Sequence, residues 1–62
     1  MMHHTEADYI KAGYAYERAT TPDAARARAE VIRAMLRTEH PTNQTEARRL
    51  IEQGRQEARA TT

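Results

Sequence analysis

The chain has 62 residues, with ten basic side chains against nine acidic ones, a net charge of +1 and no Cys. That length holds one domain at most, and so short a chain buries only about 60% of the surface that its unfolded form exposes. The missing Cys excludes a disulfide framework and a thiolate metal site, and the near balance of charge argues against a strongly basic nucleic-acid binder.

Apolar runs reach no more than three residues, too short to span a bilayer. The N-terminus lacks the apolar core of a secretory signal, so the cytoplasm is the expected location. Nine of the ten basic residues are Arg and Ala is abundant. A GC-rich genome produces that bias through codon usage, so Arg content by itself is no functional sign. Gly and Pro number two each, β-branched apolar residues are scarce, and Ala, Arg, Glu and Gln dominate. These are helix formers. The expected class is all-α: a small three-helix bundle, an antiparallel helical hairpin plus a third helix, with oligomerisation as one way to complete a marginal core. Residues 1–62 form a single domain in this reading, with 1–4 and 60–62 flexible.

The first helix is expected over about 6–19. Thr5 is placed to cap it by accepting from the N–H of Asp8, and Glu6 and Asp8 complement the positive end of the helix dipole. This helix carries all three aromatic residues, Tyr9, Tyr14 and Tyr16. Tyr9, Ala12, Tyr16 and Ala19 share one face; Ile10, Tyr14 and Ala7 share another. Two faces imply two neighbours.

The second helix is expected over about 22–39. Thr21-Pro22-Asp23 supplies an N-cap, a first-turn Pro and an acid for the dipole. Its apolar arc holds Ala24, Ala25, Ala29, Val31, Ile32, Met35 and Leu36. Arg28 projects into that arc, either snorkelling its guanidinium outward or pairing with a partner's carboxylate. Glu30 has the spacing to reach Arg26 and Arg33.

His40-Pro41 ends the second helix, and the third is expected over about 43–59, capped by Thr42 or by Asn43 with Glu46. Ala47, Leu50, Ile51, Gly54 and Ala58 form one narrow apolar stripe, which packs into a single groove.

An internal echo links the first and third helices. Ile10-x-x-Gly13-x-x-x-x-Arg18-Ala19-Thr20-Thr21 recurs as Ile51-x-x-Gly54-x-x-x-x-Arg59-Ala60-Thr61-Thr62, at a constant offset of 41. It suggests that the two helices play like roles and that Gly13 permits a close helix–helix approach. The first unit also resembles a tetratricopeptide repeat in the spacing of Tyr9, Gly13, Tyr16 and Ala25. It is too long for one, and Ala29 and Ile32 replace the expected bulky aromatic and Ala, so no family is assigned.

Metal and enzyme chemistry find no carrier. His3 and His4 adjoin on a terminal segment and read as a tag remnant or a chance pair, and no set of four ligands has the spacing of a closed zinc site. There is no Ser, no Cys and no Gly-rich phosphate loop. No metal, cofactor or small-molecule substrate is expected. Two readings of function stay open. The leading one is a non-catalytic protein–protein interaction module, an accessory protein, adaptor, inhibitor or small structural subunit of a bacterium or phage. It would dock on another protein, or on a second copy as a homodimer, through Tyr9, Ile10, Tyr14 and Tyr16, joined by Arg28 and Met35. The alternative is a helix-turn-helix-like DNA binder that reads bases with Arg48, Arg49, Gln53, Arg55 and Arg59 of the third helix. Glu46, Glu52 and Glu57 on the same helix oppose that.

Overall fold

A computed structural model describes residues 2–61. Three helices follow one another: α1 (Glu6–Glu17), α2 (Pro22–Arg37) and α3 (Pro41–Ala60). No strand occurs among the described residues, and the chain forms a compact small helical bundle.

Capping chemistry sets the starts. At α1 the Asp8 N–H donates to Thr5 Oγ1 at 3.1 Å and the Thr5 N–H donates back to Asp8 Oδ2 at 3.1 Å. This is a capping box with Asp in the Glu position. At α2 the Ala24 N–H donates to Thr21 Oγ1, with Pro22 in the first turn. The third start differs from the Thr42 or Asn43 cap expected. Pro41 is already helical, and His40 is the N-cap, its Nδ1 accepting from the Thr42 N–H at 3.2 Å. Pro costs nothing at the first helical position, because its missing N–H would have no partner there. His40 takes the extended backbone that a following Pro favours, φ −62° and ψ 145°. Helix α2 ends at Arg37, two residues short of the expected boundary, which frees Glu39 to turn inward.

Packing is uneven. Helix α1 lies against both other helices, and much more closely against α3 than against α2. Residues of both faces read on α1 meet α3: Tyr16 at Arg55, and Ile10 at Gly54. Gly13 and Gly54, both buried, let α1 and α3 cross backbone to backbone. Tyr9, Ala47, Leu50 and Ile51 form the core, with Ala58 buried farther along α3; Met2, Ile10, Ile32, Met35 and Leu36 pack around the core half-buried. The α3 stripe read from the sequence is the set of residues that α3 buries. Helix α2 buries none of its side chains fully.

Both ends of the described chain make contacts with the bundle. The His3 and His4 N–H groups bond to Glu39, and Thr61 Oγ1 meets both the Ala58 carbonyl and the Tyr14 hydroxyl. Residues 1 and 62, also read as flexible, lie outside the described residues.

Candidate functional site

The tyrosines of α1 do not form an open docking face. Tyr9 is 0% exposed and belongs to the core, which corrects its reading as a contact anchor. Its hydroxyl donates to Glu39 Oε2 at 2.5 Å. Ile10 is half-buried against the core, with its carbonyl under Gly54. Tyr14 is half-buried; its hydroxyl lies 3.2 Å from Thr61 Oγ1 and the Arg18 guanidinium sits 5.9 Å from its ring centre. Tyr16 is half-buried under the guanidinium of Arg55, 5.2 Å from the ring centre. Each is engaged inside the chain because α1 is the central helix, covered from two sides.

Glu39 carries no periodic signal that marks it in the sequence, yet it is the one buried charged residue among those described, at 5% exposure. Its carboxylate takes the Tyr9 O–H, the His3 N–H at 2.9 Å and the His4 N–H at 3.2 Å. Burial works to raise its pKa; the bonds from Tyr9, His3 and His4 outweigh that and hold it below the ordinary Glu value. Tyr9 moves the other way: burial, then the bond to Glu39 and its charge, push the phenol far above its usual value. His4 stands edge-on to the Tyr9 ring, 5.6 Å between centres. With every approach filled by the chain's own donors, this cluster pins the N-terminal segment to the α2–α3 connection.

Arg28 is also committed within the chain. Its Nη1 donates to the Ala15 carbonyl at 2.5 Å. That carbonyl is among the last four of α1, which lack helical partners, and the last turn of α1 holds no basic residue of its own. Arg28 thus supplies from α2 the cation that the negative end of α1 favours.

Exposed apolar surface lies instead on α2. Val31 is 56% exposed, and Ala27 and Ala34 are exposed beside it. Val31 and Met35 form one wall of an open trough of about 470 Å³, and Ala12 and Ala15 of α1 form the other. His4, Asp8 and Lys11 stand at its edge. Of the six contact residues read from the sequence, only Met35 lines this trough. The solvent-facing half of the α2 apolar arc carried the signal that points to it.

The basic residues read as DNA contacts are mostly spent. Arg55 Nε lies 3.0 Å and Arg59 Nε 3.3 Å from the Glu17 carboxylate, and Glu52 lies 3.5 Å from both. These two Arg residues hold Glu17 below its ordinary pKa. Arg49 forks onto Glu46, and Gln53 donates to Glu57. Arg48 alone of the five makes no hydrogen bond or ion pair among the described residues. It lines a second cleft, of about 270 Å³, with Arg33, Leu36, Arg37 and Gln44. Glu30 pairs with Arg33 as its spacing allowed, whereas Arg26 pairs with Asp23.

Among the described residues no three His, Asp or Glu side chains converge to hold a metal ion, and no helix is long and apolar enough to cross a membrane. Comparison with protein-family models, curated proteins and solved structures finds no match.

Proposed function

We propose that this chain is a non-catalytic protein-docking module, working in the cytoplasm, whose contact surface is the α1–α2 trough rather than the tyrosines of α1. One observation carries the reading: α2 has an amphipathic sequence yet buries no side chain fully, and its Val31 stays 56% exposed. The fitting occupant is an amphipathic helix of a partner, laid between α1 and α2 as a fourth helix. Ala12 and Ala15 leave room for close approach, and Val31 and Met35 supply apolar area. Covering Val31 alone contributes roughly 1 kcal/mol. Asp8 and Lys11, of opposite sign on the same edge, set the register of a partner's charges.

The DNA-binding alternative has weaker support. Four of its five residues already hold partners in the chain, and affinity for DNA depends on cations free to neutralise phosphates. It calls for duplex binding that falls steeply with salt and is lost in Arg48→Ala.

The trough is tested with a photo-crosslinking residue at position 31, and with the same residue at position 53 as a control, expressed in the native host. A discrete adduct formed from position 31, absent from 53 and lost in Ala15→Glu, is expected. Equal adduct patterns from both positions would sink the reading.

A further inference from the structure

In one place two arginines of the chain share an acid, and in another two arginines line a cleft without one. Glu17 stands between Arg55 and Arg59, and its carboxylate takes both guanidiniums. Between α2 and α3, Arg33, Arg37 and Arg48 line a cleft of about 270 Å³ together with Leu36. Arg33 and Arg37 are one turn apart on α2, where like charges repel. The acid nearest to them, Glu30, is bonded to Arg33 and reaches Arg37 only through space. Arg37 and Arg48 make no hydrogen bond or salt bridge among the described residues. Gln44 adds no donor, because its Nε2 is spent on the Leu36 and Glu39 carbonyls. That commitment ties the end of α2 to α3 and so fixes the cleft's walls.

We propose that this cleft seats an acidic segment of a protein partner, with a Glu or Asp carboxylate taken between Arg37 and Arg48 as Glu17 is between Arg55 and Arg59. Planar guanidinium forks match carboxylate oxygens in pairs, and Leu36 lines the cleft beside them. A single exposed ion pair contributes little; Arg37 and Arg48 act together on one acidic segment, beside an Arg33 already bonded to Glu30, and also steer its approach. Nucleic acid fits less well, since Glu46, Glu52 and Glu57 line the same helix and the other α3 cations are already paired. The inference rests on the docking reading for its class of partner, but it uses a surface separate from the trough.

The probe is acetylated, amidated hexaglutamate, titrated into the full chain and followed by NMR of the Arg side-chain N–H groups. Saturable shifts confined to Arg33, Arg37 and Arg48 are expected, with none from hexaglutamine. The double variant Arg37→Gln/Arg48→Gln, checked for an unchanged helical circular dichroism spectrum, should bind about tenfold more weakly. Val31→Asp should bind the peptide as the parent does. Equal shifts at all nine arginines, undiminished binding by the double variant, or tighter binding of a short DNA duplex than of the peptide would overturn the proposal. A failed crosslink at position 31 with this titration intact would remove the trough and leave the acidic seat standing.

Discussion

Gly13 and Gly54 occupy reciprocal places in the α1–α3 crossing. A Cβ built on Gly13 would lie 1.9 Å from the Ile51 carbonyl oxygen, and one built on Gly54 would lie 1.9 Å from that of Ile10. The echo of Ile10-x-x-Gly13 in Ile51-x-x-Gly54 is therefore a contact pattern: each Gly of one copy meets the Ile of the other. The two helices approach where neither has a side chain, and the core residues Tyr9, Leu50 and Ile51 close around that approach.

Gly13→Ala and Gly54→Ala should each destabilise the fold by at least about 3 kcal/mol, because the obstacle is backbone and cannot rotate away. In an ordinary helix the same change adds about 1 kcal/mol of stability, so the sign itself is diagnostic. A domain of this size has in total about 3–9 kcal/mol, so urea titration followed by circular dichroism should show a midpoint lowered by a third or more for either variant. A midpoint equal to that of the parent would refute the crossing.

The Glu39–Tyr9 pair predicts losses of stability at both ends of the pH range. The carboxyl of Glu39 is held below its ordinary value. Its contribution is complete above the unfolded pKa of about 4.3 and drains away as pH falls through the lowered folded value. Glu17, Glu30, Glu46 and Asp8 are lowered too and share this acid limb. Tyr9 is raised, so its contribution is complete below the unfolded pKa of about 10 and is lost as pH climbs above it. Melting temperatures from pH 3 to pH 11 should show Glu39→Gln with a shallower acid limb and Tyr9→Phe with a shallower alkaline one. Parallel profiles for parent and variants would count against the buried pair.

Glu17→Gln should lower the melting temperature in low salt by removing the carboxylate that Arg55 and Arg59 share. The deficit should shrink in 1 M salt, where the Debye length is about 3 Å. A deficit that ignores salt would mean that Glu17 acts through packing instead.

Leu50→Ala and Val31→Ala should separate core from docking surface. Leu50 is 2% exposed and should cost about 2–5 kcal/mol. Val31, 56% exposed, should stay within about 0.5 kcal/mol of the parent. A Val31→Ala loss as large as that of Leu50→Ala, measured on the isolated chain, would place Val31 in a core and remove the trough from consideration.

Much of the local structure was legible in the sequence. Thr5 and Thr21 cap their helices as their neighbours imply, and α3 buries Ala47, Leu50, Ile51, Gly54 and Ala58. The His40 cap is less legible, because Pro41 marks the end of one helix and the beginning of the next with the same residue. The candidate site was far less legible. Tyr14 and Tyr16 have the composition of interface anchors, but cations on Arg18 and Arg55 cover them. No pattern along the chain says that Glu39 turns inward.

What the sequence determined by itself is the all-α class, the starts of α1 and α2 and the apolar face of α3, because caps and a 3.6-residue period act over neighbours a few positions apart. Only the tertiary structure decided that α1 lies closest to α3, that Tyr9 is buried, and that Arg55 and Arg59 share Glu17. Those outcomes join residues 26 to 47 positions apart, from Tyr9–Met35 to Tyr14–Thr61. They depend on how near two backbones can come, and here that distance is set by the absence of a side chain at Gly13 and Gly54.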